Sequence, residues 1–512
     1  MKQFSAPTIE EQSEGVDLPE GWTKVLLPEI CALNPPKPPP DALWSSAPVT
    51  FVPMSAVDET LGAITRPQAR PFSDVRKGYT AFQEEDVIMA KITPCMENGK
   101  AAVARNLQNK LGFGSTEFHV FRSNGTALPE YIYHYIRQKS YRHDAESKMT
   151  GSVGQKRVPV SFLEQTELPL PPLPEQRRII ALVEGALTRI TIARGRLANV
   201  PTILKAFRQS VLAAACSGRL TEDWREENGV GESAKGLLAR IDEGRGREIK
   251  TIREENLGDL ADLPVHWDWA TMGRVADIQG GIQKQPKRTP KKNAYPYLRV
   301  ANVLRNRLDL SEIKEMELFA GELQTYSLRP NDLLIVEGNG SIGEIGRSAL
   351  WTGEIQNCVH QNHIIRVRAY ECVPEYLNIY WNSPIGIGRV VEVAVTTAGL
   401  YSLSTKKIAM LPVPVAPLEE QREIVRRVDS LFKLADKIEE RVAAATKRAD
   451  KLTQAILAKA FRGELVPTEA ELARKERRSY EPASELLNRI NLNVALEGQE
   501  LGRRAKRSGK RR

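Results

Sequence analysis

The chain has 512 residues, 41% of them hydrophobic and 27% charged, which is the composition of globular domains and excludes a disordered or fibrous chain. Its formal net charge of +9 favours a polyanionic partner without identifying one. No run approaches the roughly 18 apolar residues of a membrane span, the first residues lack an apolar signal segment, and the five cysteines are scattered. We therefore expect a cytoplasmic chain with no membrane partner.

The first half of the chain predicts a mixed domain followed by a long helix. Residues 1–17 are a polar extension, and residues 18–170 contain short apolar runs between turns rich in Gly, Pro and Asn, which indicates many short strands. Residues 171–222 start with an extended Pro-rich stretch and continue with helical periodicity, which predicts a helical spacer. Pro201 lies inside this helix and is expected to kink or break it. Residues 223–262 are charged and predict a linker helix.

The second half repeats this order. Residues 263–415 predict another mixed domain, residues 416–466 a second helical spacer, and residues 467–512 a helix followed by a basic tail. The related openings LPEGW, at Leu18, and LPVHW, at Leu263, are separated by 245 residues. The same interval of 245 separates PEY at 129 from PEY at 374, EQR at 175 from EQR at 420, and QSVLA at 209 from QAILA at 454. The chain is therefore two copies of one unit, each of the α/β (α+β) class.

Apolar residues in both spacers recur in alternating steps of three and four, which is the seam of a coiled coil. Because one chain carries two matched seams, we expect the spacers to pack on each other as an antiparallel coiled coil. Ordinary helix packing is the alternative interpretation. The predicted seam residues are Ile179, Val183, Ile190, Leu197, Leu204, Ile424, Val428, Leu431, Ile438, Val442, Leu452 and Ile456.

Basic and amide side chains cluster in the expected loops of both mixed domains. Lysine and arginine could contact phosphates, whereas Gln, Asn, Ser and Arg could read base edges. For any single residue, a solvated surface charge is the favoured explanation. The candidates for DNA contact are Lys91, Lys100, Gln155, Lys156, Arg157, Lys284, Lys287, Arg288, Arg299, Asn339, Ser341, Lys406 and Lys407.

Three short motifs resemble catalytic or metal sites without their full requirements. The glycines at 338–343 fit a dinucleotide pattern, but no clean helical period follows them. Asn34-Pro35-Pro36 is followed by Lys37, where a methyltransferase that stacks a flipped base needs an aromatic ring. The Cys and His residues at 358–363 have no second cluster nearby in the sequence. We therefore expect no catalytic residues and no metal site in this chain.

The residues quoted above resemble the specificity subunit of Type I restriction–modification systems. The resemblance rests on the two L-P-x-x-W openings, the junctions PLPPLPEQRR and VAPLEEQRE, the helices that follow them, and PYLRVANV at 296–303. It implies a target recognition domain at 18–170 and another at 263–415, separated by a central (171–222) and a distal (416–466) conserved helical spacer. Each domain would read one half of a split double-stranded DNA target, and the helix pair would set the gap between the halves.

The same resemblance implies how the chemistry is shared. The chain would be non-catalytic and would bind no cofactor, while two modification subunits would methylate adenine with S-adenosylmethionine. Restriction subunits would use ATP and Mg²⁺ to cleave DNA. Two alternatives stay open at this point: a catalytic DNA methyltransferase or nuclease chain, and a coiled-coil adaptor that binds proteins rather than DNA.

Overall fold

The computed structural model describes residues 17–39, 42–229, 231–245, 260–397 and 400–492. These residues form two compact units, the first drawn from 1–197 and 444–512 and the second from 198–443. The sequence predictions for residues 1–16 and for the basic tail from 493 onward lie outside the described residues. Among the residues that the structure describes, no helix is both long and apolar enough to cross a membrane.

The first unit is a mixed domain built on two four-stranded sheets. One sheet has the order β6-β3-β10-β7 and the other β2-β11-β8-β9; every pairing in them is antiparallel except β3 with β10. A separate pair, β1 with β12, joins the start of the domain to its end. The strands are β1 (Thr23–Leu26), β2 (Cys31–Leu33), β3 (Pro48–Val52), β4 (Val57–Asp58), β5 (Ala63–Ile64), β6 (Gln68–Pro71), β7 (Thr80–Gln83), β8 (Val87–Ala90), β9 (Ala101–Val103), β10 (Leu111–Gly114), β11 (Phe118–Ser123) and β12 (Glu167–Leu170).

Short helices cover these sheets. They are α1 (Leu27–Ile30), α2 (Phe72–Val75), α3 (Pro129–Ile136), α4 (Lys139–Ser147) and α5 (Val160–Glu164). Helix α3 begins with a proline, a residue favoured at the first helical position, and buries Tyr131 and Ile132 in the main core of the unit. The uninterrupted apolar run of β8 is buried at every residue because both faces of the strand are covered: Val87 and Met89 pack into one core cluster and Ile88 into another.

The second unit repeats this plan with rearranged smaller sheets. Its main sheet has the order β14-β23-β19-β21, and a three-stranded sheet has the order β18-β15-β22. The strands are β13 (Asp268–Thr271), β14 (Ala276–Gly280), β15 (Ala294–Leu298), β16 (Val303–Leu304), β17 (Arg307–Leu308), β18 (Lys314–Glu317), β19 (Leu333–Val336), β20 (Gly338–Asn339), β21 (Ser348–Leu350), β22 (Val359–His360), β23 (Ile364–Ala369), β24 (Val395–Thr397), β25 (Leu400–Ser402) and β26 (Pro412–Val415).

The helices of the rest of the chain include both spacers. They are α6 (Leu173–Cys216), α7 (Glu222–Asn228), α8 (Ala234–Arg245), α9 (Met272–Val275), α10 (Glu322–Tyr326), α11 (Pro374–Trp381), α12 (Pro384–Val393), α13 (Thr405–Met410), α14 (Leu418–Phe461) and α15 (Glu469–Glu476), and residues 483–492 are also helical. Helices α3 and α11, strands β12 and β26, and the long helices α6 and α14 each begin 245 residues apart. The structure therefore confirms the pseudo-two-fold repeat.

The long helices α6 and α14 pack as the predicted antiparallel coiled coil. Arg194 forms an ion pair with Asp450 in the first unit, and Arg208 donates to Asp436 at 2.7 Å in the second. As the residue number rises along α6, the number of its partner falls along α14, so the helices run in opposite directions. Of the predicted seam residues, Ile179, Val183, Ile190, Leu204, Ile424 and Val428 are buried, and Leu197, Leu431, Ile438, Val442 and Ile456 are half-buried.

Leu452 is the exception, because its side chain is 51% exposed, and its assignment to the buried seam is wrong. A straight α-helix drifts by about 20° per heptad from a strict seven-residue repeat. After the four heptads that separate Leu452 from Ile424, this drift amounts to about 80°. The buried face has by then moved on to Leu457 and Ala460.

Helix α6 runs without a break through Pro201, so the expected break is absent. Proline removes one backbone donor and crowds the preceding turn. Pro201 is solvent-exposed, so the carbonyl that loses its partner can be hydrated. Packing along the rest of the 44-residue helix holds it continuous.

Candidate nucleic-acid interface

Each mixed domain is joined to its long helix by the same buried hydrogen bond. Trp22 donates its indole Nε1–H to Glu175 Oε1 at 2.9 Å, and Trp267 donates to Glu420 Oε2 at 2.8 Å. Both carboxylates are fully buried in the first turn of their helix, where the helix dipole favours negative charge. The recurring Trp and Glu of the sequence are therefore the two ends of one contact.

The glutamine that follows each of these glutamates ties the helix to the domain. Gln176 accepts from the backbone N–H of Leu128 at 2.8 Å and donates to the carbonyl of Pro171 at 3.0 Å. Gln421 accepts from the N–H of Val373 at 2.8 Å and donates to Ala416 at 2.8 Å. Both glutamines are fully buried, so each of these bonds satisfies a polar group that water cannot reach.

The two junctions differ in how the buried glutamate is compensated. Glu420 also accepts from Thr221 Oγ1 at 2.6 Å and from the guanidinium of Arg225 at 2.5 Å. Glu175 accepts instead from the backbone N–H of Glu469 at 2.8 Å. Burial raises the pKa of Glu175 above its ordinary value, although the bonds from the Glu469 amide and Trp22 oppose this shift.

A hairpin at 150–157 brings several sequence-predicted residues of the first unit together. Thr150 and Arg157 exchange backbone hydrogen bonds of 3.0 and 2.8 Å, and the N–H of Thr93 donates to the carbonyl of Lys156 at 3.0 Å. Lys91 lies at the base of the hairpin, where its carbonyl accepts from Val158 at 2.9 Å. Lys91, Gln155, Lys156 and Arg157 therefore share one site, whereas Lys100 is held elsewhere by an ion pair with Glu59 at 3.6 Å.

The second unit has the equivalent hairpin, formed by β24 and β25. Its strand β25 pairs with β20, so that Gly338 lies opposite Ser402 and Asn339 opposite Tyr401. The candidates Asn339 and Ser341 lie in or just after β20, and Lys406 and Lys407 lie in α13, which follows the hairpin. The two copies thus place candidate residues at the same feature of the fold.

Three of the predicted arginines are occupied by carboxylates. Arg157 binds Glu117 with two contacts of 2.9 Å, and this bond holds the pKa of Glu117 below its ordinary value. Arg288 binds Glu322 with two contacts of 2.8 Å, and Arg299 lies 3.2 Å from Glu312. These side chains stabilise loops, a role that the sequence did not indicate.

The other candidates differ in their exposure. Lys407 is half-buried and donates its Nζ to the carbonyl of Val393 at 2.9 Å. Lys287 lies over the ring of Phe319 with its Nζ 5.6 Å from the ring centre, which leaves the ammonium group accessible. The candidates with exposed side chains are Gln155, Lys156, Lys284, Lys287, Ser341 and Lys406.

Residues from two of the motifs that resemble catalytic or metal sites form structural hydrogen bonds. Asn34 is exposed, but its side chain accepts from the backbone N–H of Val120 at 3.0 Å and lies 3.2 Å from the ring of His119, so it ties the end of β2 to β11. His360 is buried with Nδ1 3.0 Å from the carbonyl of Ile364. Within the described ranges, no three His, Cys, Asp or Glu side chains are grouped so as to hold a metal ion.

Comparison with known proteins agrees with this geometry. A family model described as the Type I restriction modification DNA specificity domain matches residues 19–202 and 264–447. The chain is 31% identical over 390 residues to the EcoKI specificity subunit of Escherichia coli K12, an alignment that covers 74% of this chain and 75% of that protein. It is 26% identical over 519 residues to the EcoEI specificity subunit of Escherichia coli, which covers 89% of this chain and 86% of that protein.

A solved structure shows the same fold. The HsdS subunit from Thermoanaerobacter tengcongensis has a TM-score of 0.58 and 23% identity to this chain, with coverage of 88% of this chain and 98% of that one. The two family matches begin 245 residues apart, which is the interval of the sequence repeat. The chain therefore belongs to the type I restriction–modification specificity family and carries two DNA specificity domains.

Proposed function

We propose that this chain is the DNA sequence-recognition subunit of a type I restriction–modification complex, in which each domain reads one half of a bipartite target. The observation that carries the proposal is the repeated junction of Trp, Glu and Gln, which fixes each domain on a long helix with equivalent bonds. A split target needs two readers at a fixed spacing, and a packed helix pair sets spacing better than a flexible linker does.

The proposal includes the partners. A surface that occurs twice by pseudo-two-fold symmetry offers the same docking site to two copies of one protein, which supports association with two modification subunits. These subunits would use S-adenosylmethionine to methylate adenine, and restriction subunits would use ATP and Mg²⁺ to cleave DNA, while this chain is non-catalytic. We place the complex in the cytoplasm, which suits five free thiols, four of them buried.

The proposed DNA surface combines the hairpins with the exposed cations near them. Exposed Lys156 belongs to the 150–157 hairpin, and exposed Lys406 follows the hairpin of the second unit. Lysines of this kind neutralise phosphates and supply affinity that depends on salt but not on sequence. Discrimination between sequences would come from side chains at the hairpin tips and the loops beside them.

The experiment is methylation mapping by long-read sequencing in a host that lacks adenine methylation. The full chain is expressed with the modification subunit encoded beside it, and each protein is also expressed alone. The expected result is one split motif with a fixed unspecified gap, present only when both proteins are expressed. Marks made by this chain alone would show that it is a methyltransferase and would overturn the proposal.

A second measurement separates DNA recognition from a protein-adaptor role. The affinity of the assembled complex for a duplex is measured at several salt concentrations. A protein that binds DNA loses affinity steeply as the salt concentration rises. The slope of log K against log salt concentration becomes more negative by about one for each phosphate contact. If the modification subunit is active but leaves no motif and the complex binds DNA without salt dependence, the adaptor function is favoured instead.

A further inference from the structure

The tip of the 150–157 hairpin carries an apolar side chain that the fold does not use. Val153 is 95% exposed, and every residue from 150 to 156 is exposed with it. Single exposed apolar residues are common on protein surfaces and need no explanation by themselves. Val153 differs because it lies in the turn of the hairpin that carries the candidate DNA contacts Gln155 and Lys156.

The backbone of the hairpin is shaped to present this residue. Gly151 has φ +124°, and a Cβ there would lie 2.9 Å from the carbonyl oxygen of Gln155. Gly154 has φ +78°, which side chains rarely tolerate. Glycines on both sides of Val153 therefore allow a tight turn that points one branched side chain away from the domain.

The base of the hairpin is held firmly. Arg157 forms its paired contacts with the carboxylate of Glu117, and Thr93 donates to the carbonyl of Lys156 at 3.0 Å. A rigid base lets the tip hold its position without losing entropy on binding. Exposed Lys148 and Lys156 precede and follow the tip in the sequence, so phosphate contacts by these lysines would bring Val153 towards the bases.

Resting on the DNA-reading function proposed above, we infer that Val153 is a specificity-determining residue that contacts the C5-methyl group of a thymine in the major groove. The thymine methyl is the one apolar group at the base edges there, and small apolar side chains recognise it. Residues that wedge between base steps are longer, such as Phe, Leu, Ile and Met. Valine is short and has a nearly fixed χ1, so it suits a surface contact with a methyl group.

The test uses deoxyuridine, which pairs as thymine does but lacks the methyl group. Once the split target has been mapped, each of its thymines is replaced singly, and the affinity of the complex of the full chain with the modification subunit is measured at constant salt. Removing a buried methyl contact weakens binding by roughly tenfold at most. We expect one replacement to weaken the parent complex by about this factor.

The variants make the assignment. Val153→Ala should bind the thymine target roughly tenfold more weakly and should no longer distinguish thymine from deoxyuridine at that one position. Val153→Thr keeps one methyl group and should be intermediate. Val265→Ala is the matched control, because Val265 is 93% exposed but lies before β13, outside the hairpin. It should keep the discrimination of the parent complex.

Two results would overturn the inference while the proposed function stands. In the first, the parent complex yields a split motif, but Val153→Ala still loses affinity at every deoxyuridine position that weakens the parent complex. A split motif without any A·T pair in either half would count in the same way. In the second, Val153→Ala fails to assemble with the modification subunit, which would make the tip a protein contact. If the parent complex gives no split motif at all, it is the proposed function that fails.

Discussion

The two junction glutamates offer a comparison within one chain, because they hold equivalent positions with different partners. We consider Glu175→Gln and Glu420→Gln, which keep the size and the acceptor oxygen of each side chain. With the amide oxygen turned towards the indole, Trp22 or Trp267 retains its acceptor. The amide NH2 then replaces the oxygen that accepts from the N–H of Glu469 in the first junction, or from Thr221 and Arg225 in the second. The difference lies in Arg225, whose guanidinium is 2.5 Å from Glu420 and whose side chain is only 16% exposed.

Removing the charge of Glu420 leaves Arg225 without its carboxylate in a mostly buried position. Breaking a buried ion pair from one side costs about 3–5 kcal/mol. We expect the low end of this range, because Trp267 keeps its acceptor and the hydroxyl of Thr221 can turn to accept from the new amide. Glu175 accepts from Trp22 and from the backbone N–H of Glu469 rather than from a guanidinium. Glu175→Gln leaves the N–H of Glu469 without its acceptor but strands no bonded cation, so it should cost only about 1 kcal/mol.

The assay is hydrogen–deuterium exchange of the intact chain, followed by mass spectrometry. Amides of α11 report on the second junction and amides of α3 on the first. A cost of about 3 kcal/mol corresponds to roughly a hundredfold faster exchange through local opening. Glu419→Gln is the control, because its side chain is 71% exposed on the same helical turn, and we expect no measurable change. Equal acceleration by both variants, or a larger effect of Glu175→Gln, would refute the reasoning.

Four further predictions concern single side chains. Lys156→Gln should weaken DNA binding equally for all sequences and lower the slope of log K against log salt by about one. Arg157→Gln should speed hydrogen exchange of the hairpin amides, because Glu117 loses its partner and the base of the hairpin is held less firmly. Pro201→Ala restores a backbone donor to the helix and should stabilise the protein by up to about 3 kcal/mol, which raises the thermal midpoint of unfolding. An unchanged midpoint would mean that hydration already compensates for the hydrogen bond that the proline removes. The bond from Arg288 lowers the pKa of Glu322 from 4.5 to about 2, so its contribution to stability is present above pH 4.5 and is lost as the pH falls through 2. Glu322→Gln should make the thermal midpoint of unfolding depend less on pH between 4.5 and 2. An unaltered dependence on pH would show that the Arg288–Glu322 pair is not its origin.

Periodicity and internal repetition were enough to predict the long helices, the order of the domains and the repeat interval. Periodicity is read within one segment, and repetition is found by comparing two segments of the same chain. The contact between Trp22 and Glu175 joins residues 153 positions apart, and that between Trp267 and Glu420 has the same separation. Nothing in either segment alone indicates its partner, although the recurrence of both at one interval was a signal that they work together.

The arginines show the opposite limit of sequence reasoning. Arg157 and Arg288 looked like DNA contacts because they lie in basic stretches, yet each is paired with a carboxylate that is distant in the chain. A guanidinium forms two parallel bonds with a carboxylate as readily as with a phosphate or a guanine, so its residue type cannot distinguish these partners. Neighbouring Lys156 and Lys287 stay exposed, which makes them the better candidates for phosphates.

The contrast between the two copies explains how one scaffold can read two sequences. At the junctions the Trp, Glu and Gln are all buried and bonded to one another or to the backbone, so replacing one strands a polar group and is costly. At the hairpins the backbone pairing recurs, whereas Val153 and its neighbours face solvent and are free to differ between copies. If the tips read DNA as proposed, a change of tip residues would alter what is read without loosening the domain from its helix, and the two halves of a target could differ while the scaffold stays the same.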